Sequence, residues 1–189
     1  MPQIDGIISL LDSRSFGTIW YWVVLIGMWS AAGRNVIGIP TEVLSRARYA
    51  RNSQPEGVAV MNLLDWLSLV LPRWHLRRQE GAVFLAVSAF LLTSLAIMGF
   101  RHDLEMAQAL TLLLLPFAIL YWLRVLLARR LLPLVMRAQD GDLPVTELAA
   151  QVIRRLTWHR RAVTLLSVVS VATTGIWGAI WSLLHPNGL

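Results

Sequence analysis

The side chains able to do chemistry in this chain of 189 residues are few and scattered. The four His residues are His75, His102, His159 and His185, and none lies inside an apolar run. A haem or quinone site between membrane helices wants imidazoles buried at matched depth, so no such cofactor is expected. His102, Asp103 and Glu105 fall together in a short turn and are potential metal donors. The same trio is what a solvated turn looks like, and that is the reading taken here. Ser88, Ser94, Ser167 and Ser170 are possible nucleophiles, but no apolar run carries a His, Asp or Lys to act as their base. Pumps and transporters acting alone carry charge inside a span; here the runs are clean apart from Gln108 near one end. Cys is absent, which excludes disulfides, thiol catalysis and thiolate-held zinc or iron–sulfur clusters. The expectation is a protein that is not an enzyme and holds no cofactor or metal.

Charge is the stronger signal. All 17 basic residues are Arg. The guanidinium fork suits phosphate and lipid head groups, although a GC-rich genome would produce the same bias. Arg129, Arg130, Arg154, Arg155, Arg160 and Arg161 are expected to meet anionic lipid heads, each contributing roughly 1 kcal/mol near a charged surface. Setting topology alone would also account for them. Nucleic acid is not an expected partner, because membrane orientation already explains the positive balance.

A third pattern concerns packing. Ser170, Thr174, Gly178 and Ser182 recur every four residues and form one ridge of small side chains, widened by Ala172, Gly175 and Ala179. Small residues let helix backbones approach closely in lipid. Gly27 and Ala31 are a shorter version of it. Either the ridges pack inside the protein, or they receive a partner chain.

These residues are carried by apolar runs. Hydrophobic residues make up 56% of the chain and charged residues 15%, with a mean hydropathy of +0.58. Soluble domains carry about a quarter charged residues. Gly81–Phe100 and Met106–Leu123 contain no charge and are separated by Arg101–Glu105 alone, which predicts an antiparallel hairpin of membrane helices. Two further runs, from Phe16 and from Ala162, complete an all-α integral membrane domain over residues 1–189. Its four spans lie near 16–36, 81–100, 104–127 and 162–184. Pro116 is expected to kink the third. Met1–Leu11 has no basic residue before its apolar part, so the first run is expected to be retained as a helix rather than cleaved. Ile4, Ile7, Ile8 and Leu11 suggest a short interfacial turn.

The two long loops are expected to carry amphipathic interfacial helices. In Glu56–Leu71, the polar residues Asn62, Asp65 and Ser68 recur every third position. This segment either lies in the interface or makes a short fifth span; Asp65 at its middle favours the interface. In the second loop, Asp140–Asp142 reads as a turn with Asp142 as N-cap. Val145, Leu148, Ala149, Val152 and Leu156 share one face beyond it. The loops Arg34–Glu80 and Arg124–Arg161 hold seven and eight Arg. The positive-inside rule puts both in the cytoplasm and both termini in the periplasm of a bacterial inner membrane.

Several residues carry a resemblance. Asp12, Arg14, Ser15 and Phe16 precede Trp20, Tyr21, Trp22, Trp29 and Ser30. Gly38 and Pro40 are followed by Arg46 and Arg48. Gly99 and Phe100 lead to Glu105, Gln108, Leu115 and Pro116. Over roughly residues 7–130 the chain resembles a family of small alphaproteobacterial membrane proteins named "component of SufBCD complex". The resemblance implies a membrane partner protein linked to Suf iron–sulfur assembly more than it implies an activity. The expected function is thus a non-enzymatic accessory or scaffold subunit that binds other proteins and anionic lipid, with a subunit of a membrane transport complex as the alternative.

Overall fold

A computed structural model of the chain describes residues 15–53, 57–74, 77–139 and 144–184. The expected interfacial turn at Ile4–Leu11, the Asp140–Asp142 turn with its cap, His75 and His185 lie outside the described residues. The fold is all-α apart from one small hairpin. Helix α1 is Ile19–Arg34, followed by strands β1 (Asn35–Val36) and β2 (Ile39–Pro40). Helices α2 (Thr41–Ser53) and α3 (Val58–Val70) come next, then a 3-10 turn at Leu71–Trp74. Three long helices complete the chain: α4 (Arg78–Arg101), α5 (Glu105–Gln139) and α6 (Val145–Leu184).

Among the described residues, α4, α5 and α6 are long and apolar enough to cross a membrane. Helix α1 has 16 residues, which at about 1.5 Å per residue falls short of the ~30 Å hydrocarbon core. The first apolar run is therefore trimmed from 16–36 at both ends. At its start, the Ser15 and Phe16 amides are held by a side chain instead of by a helical turn. At its end the chain reverses through Ile37 and Gly38, with φ of 57° and 92°, into the β1–β2 hairpin. A β-branched residue in the left-handed region is strained, and Ile37 is held there fully buried in the surrounding core. The amphipathic segment from Val145 and the last apolar run are one continuous helix of 40 residues, not two elements. Nothing between Arg154 and Ala162 is a Gly or Pro, so nothing interrupts the hydrogen-bond ladder. Helix α5 likewise continues for 35 residues past both Pro116 and Pro133.

The chain divides into two compact units. The first comprises Met1–Trp29, Gln79–Ile119 and Leu165–Leu189; the second comprises Ser30–Arg78 and Leu120–Thr164.

In the first unit, polar groups tie the apolar helices together. The turn between α4 and α5 is tight, with Asp103 at a φ of 55°. Glu105 follows it, only 7% exposed. Its Oε1 accepts the backbone N–H groups of Ser15 and Phe16 at 2.6 Å each, and its Oε2 accepts the Trp181 indole N–H at 3.2 Å. One turn on, Gln108 donates to the Gly99 carbonyl at 2.9 Å and accepts from the Trp177 indole at 2.8 Å. The Tyr21 hydroxyl donates to the Ala109 carbonyl at 3.1 Å. Phe100 packs edge-on against Trp177, and Trp29 lies 4.7 Å from Phe117 between ring centroids. Large apolar side chains such as Val83, Leu85, Phe90, Leu165 and Ile176 remain exposed.

The second unit has an interior of the kind water drives together. Ile37 and Ile39 from the hairpin join Leu44 and Ala47 of α2, and Leu63, Leu67 and Val70 of α3. Leu127, Leu131 and Val135 of α5 and Leu148, Val152 and Leu156 of α6 complete the cluster. The polar stripe of α3 behaves as its spacing predicts: Asn62, Asp65 and Ser68 are exposed, while Val60, Leu63, Leu67 and Val70 are buried.

Gly99 fixes how closely α4 and α5 meet. A Cβ there would lie 2.7 Å from the Gln108 backbone nitrogen, too close for any real contact. Gly99→Ala is therefore expected to push the hairpin apart at a cost of 1–3 kcal/mol, roughly the cost of overpacking. Gly175→Ala meets nothing within 4 Å and should leave stability unchanged or slightly raised. Thermal unfolding of both variants in detergent separates the two cases; equal melting temperatures would overturn the close-approach argument.

Candidate functional site

The small-residue ridge of the last helix is turned inward. Ser170, Thr174 and Gly178 are buried, and a Cβ on Gly178 would meet the Phe16 ring at 3.4 Å. Ser182, at the end of the ridge, is exposed, and its hydroxyl donates back to the Gly178 carbonyl at 2.9 Å. The ridge thus packs within the first unit. Gly27 and Ala31 do the opposite: both are exposed, and nothing lies within 4 Å of a Cβ on Gly27. The face of α1 that packs is Leu25, Trp29 and Ala32, on the other side of the helix. Glu105 leaves the His102, Asp103, Glu105 trio to act as the acceptor described above. Among the described residues no group of three or more His, Cys, Asp or Glu is placed to hold a metal.

The Arg residues are where sequence and structure meet. Arg129, Arg130, Arg154, Arg160 and Arg161 are exposed on the second unit. Arg155 is half-buried and donates to the Arg130 carbonyl at 2.6 Å, pinning α6 to α5. Arg154 and Arg161 are drawn into one groove with Arg48 of α2, a residue 106 positions earlier than Arg154. Gln151, Thr157 and Trp158 line the groove with them, above Ala150 and Ile153, and it encloses about 700 Å³. Positions 154, 158 and 161 share a face because they stand four and three residues apart on one helix. The Arg161 guanidinium sits 5.6 Å over the Trp158 ring, which is 64% exposed. Among the described residues no carboxylate lines the groove. Glu147, one turn before it, is engaged by Gln151 at 3.2 Å. Neither Arg48, which enters above only through the resemblance, nor Trp158 is marked as a site residue by the sequence. The only signal for Arg48 was its place in the run Arg46, Arg48, Arg51, and Trp158 stands one turn ahead of the last apolar run.

Deeper in the same unit, Arg124 is half-buried. It donates to the Ala32 carbonyl at 3.3 Å and lies 5.8 Å over the Trp74 ring; Trp74 in turn donates to the Ile37 carbonyl at 3.2 Å. His159, 7% exposed and ahead of the last apolar run, faces inward with its Nε2 unpartnered. Burial, and then the Arg124 charge, push its pKa down to about 4.

Comparison with protein-family models, with curated proteins and with solved structures finds no match. The class is therefore defined by the chain itself: an all-helical protein with three helices able to cross a membrane and a strongly basic second unit.

Two predictions follow from these placements. His159 has a lowered folded pKa, so the folded state prefers it neutral. The stability this confers is complete above the unfolded value of about 6.5 and is lost as pH falls towards 4, by up to about 3 kcal/mol. Unfolding followed from pH 7 to pH 4 should show that loss, and His159→Leu should flatten it; an unchanged slope in the variant would assign the acid sensitivity to other groups. On the ridge, Gly178→Leu should lower stability by about 1–3 kcal/mol through overpacking on Phe16. Ser170→Ala, which removes a buried hydroxyl without a hydrogen-bond partner, should raise it by about 1 kcal/mol. The opposite order of melting temperatures would mean that the ridge does not pack inside the protein.

Proposed function

We propose that this chain is a non-enzymatic accessory or scaffold subunit of a bacterial inner membrane, which engages anionic lipid and a second protein through its basic unit. The observation that carries this reading is that the division by packing is also a division by charge. Fifteen of the 17 Arg and six of the 11 acidic residues belong to the second unit, giving it a formal charge of +9 against −3 for the first. An apolar unit held by a few internal hydrogen bonds suits lipid. A basic unit with a hydrophobic core suits the cytoplasmic head-group region, where Arg is favoured. In this reading α1 is a fourth, short span, and both termini are periplasmic. Helices α2 and α3 lie at the interface. The exposed Met61, Trp66 and Leu69 of α3 support that position, since interfacial helices keep an apolar flank for the acyl boundary. The resemblance to the "component of SufBCD complex" family suggests that the second protein belongs to Suf iron–sulfur assembly.

Reporter fusions test the topology. A fusion after Leu189 is expected to be active only in the periplasm, and one inserted near Asn52 only in the cytoplasm. A cytoplasmic carboxyl terminus would defeat the four-span arrangement. Purification in mild detergent, followed by identification of what accompanies the chain, tests the scaffold role. A Suf component is the expected companion, and reproducible purification of the chain alone from cells expressing the Suf proteins would defeat that assignment.

A further inference from the structure

We infer that the groove formed by Arg48, Arg154, Arg161 and Trp158 is a discrete binding site for the phosphate of one anionic phospholipid head group, and not merely part of a diffuse basic surface. This inference rests on the membrane reading above and deepens it. The chemistry of the lining is specific. Three guanidinium groups from two helices line it, with no carboxylate among the described lining residues. Like charges sharing one groove repel, so an anion among them is a favourable occupant. Each guanidinium presents paired N–H donors that match two phosphate oxygens at once. Arg161 is pre-oriented by its stacking on Trp158 at 5.6 Å, which lowers the entropic cost of ordering it around a ligand.

Position and size favour a lipid over a free phosphate. Arg161 is the last charged residue before the apolar run from Ala162, and Trp158 stands one turn earlier. Arg and Trp at the end of a span mark head-group depth. The groove, at about 700 Å³, has the volume of a site for a ligand with a body as well as a phosphate. Gln151 and Thr157 donate to Glu147 and to the Ile153 carbonyl, which leaves their side-chain oxygens as acceptors for the hydroxyls of a glycerol head. The exposed cations Arg129, Arg130 and Arg160 of the same unit do not line the groove.

The test uses the full chain purified in mild detergent and incubated with phosphatidylglycerol or phosphatidylcholine, with retained lipid read by native mass spectrometry. Wild type should retain one phosphatidylglycerol and little phosphatidylcholine. Combined Arg48→Ala, Arg154→Ala and Arg161→Ala should weaken retention at least tenfold, whereas combined Arg129→Ala and Arg130→Ala should change it less than twofold. Arg48→Lys, which keeps the charge but loses the fork, should fall between. All three groove side chains are exposed, so these variants should keep the wild-type unfolding temperature. Equal losses in the two Ala combinations would reduce the groove to diffuse charge. Displacement of the lipid by glycerol phosphate at equal concentration would make it a free-phosphate site. Retention unaffected by the groove changes would overturn the site altogether. None of these outcomes depends on the topology fusions, so the site and the membrane arrangement can fail separately.

Discussion

The carboxylate of Glu105 sits where the first unit has least else to hold it together. Apolar helices in lipid gain little from touching one another, because hydrocarbon is as good a neighbour as leucine. What fixes their arrangement must be directional or very close. Glu105 is the directional part, collecting the Ser15 and Phe16 amides and the Trp181 indole on one side chain. Those amides precede α1 and would otherwise be unsatisfied near a helix start, where such groups are costly to leave unpaired. Gln108 repeats the device one turn away, joining the end of α4 to Trp177 of α6. Gly99 is the close part, allowing backbone to lie against backbone at the Gln108 amide. Three stretches, the approach to α1, the end of α4 and the last turns of α6, are thereby tied through two adjacent turns of α5.

The second unit obeys different physics. Its interior is built from Leu, Ile and Val contributed by the hairpin and four helices, a cluster of the kind that removal from water stabilises. With that core in place, the surface can carry an excess of like charge without a partner for each. Arg124 and Arg155 are partly withdrawn and spend their donors on backbone carbonyls. The other described Arg side chains of the unit are left outward, and three of them line a groove with Trp158. His159 belongs to the same balance: burial first, and the Arg124 charge second, hold its imidazole most easily without a proton.

Sequence by itself determined a great deal. Uncharged runs of about twenty residues, a five-residue turn and the uneven distribution of Arg were enough to read a helical membrane protein with basic loops. Helical spacing correctly separated Asn62, Asp65 and Ser68 from the buried side of α3, and grouped Leu148, Val152 and Leu156 on one face of α6. These properties depend on neighbours within two turns, which the chain writes out in order. Tertiary structure decided the rest. Nothing local distinguished Glu105 from any solvated turn residue, because its partners lie 76 to 90 positions away. Periodicity placed Ser170, Thr174 and Gly178 on one ridge, and Gly27 and Ala31 on another, but only packing turned the first inward and the second outward. In a soluble protein hydrophobicity would have told the two faces apart. In an apolar run meant for lipid, the inside and the outside are equally hydrophobic, so the sequence carries no label for which face meets the protein. The groove shows the same limit: Arg48 and Arg154 are equivalent in composition to every other Arg here, and only the meeting of α2 with α6 sets them apart.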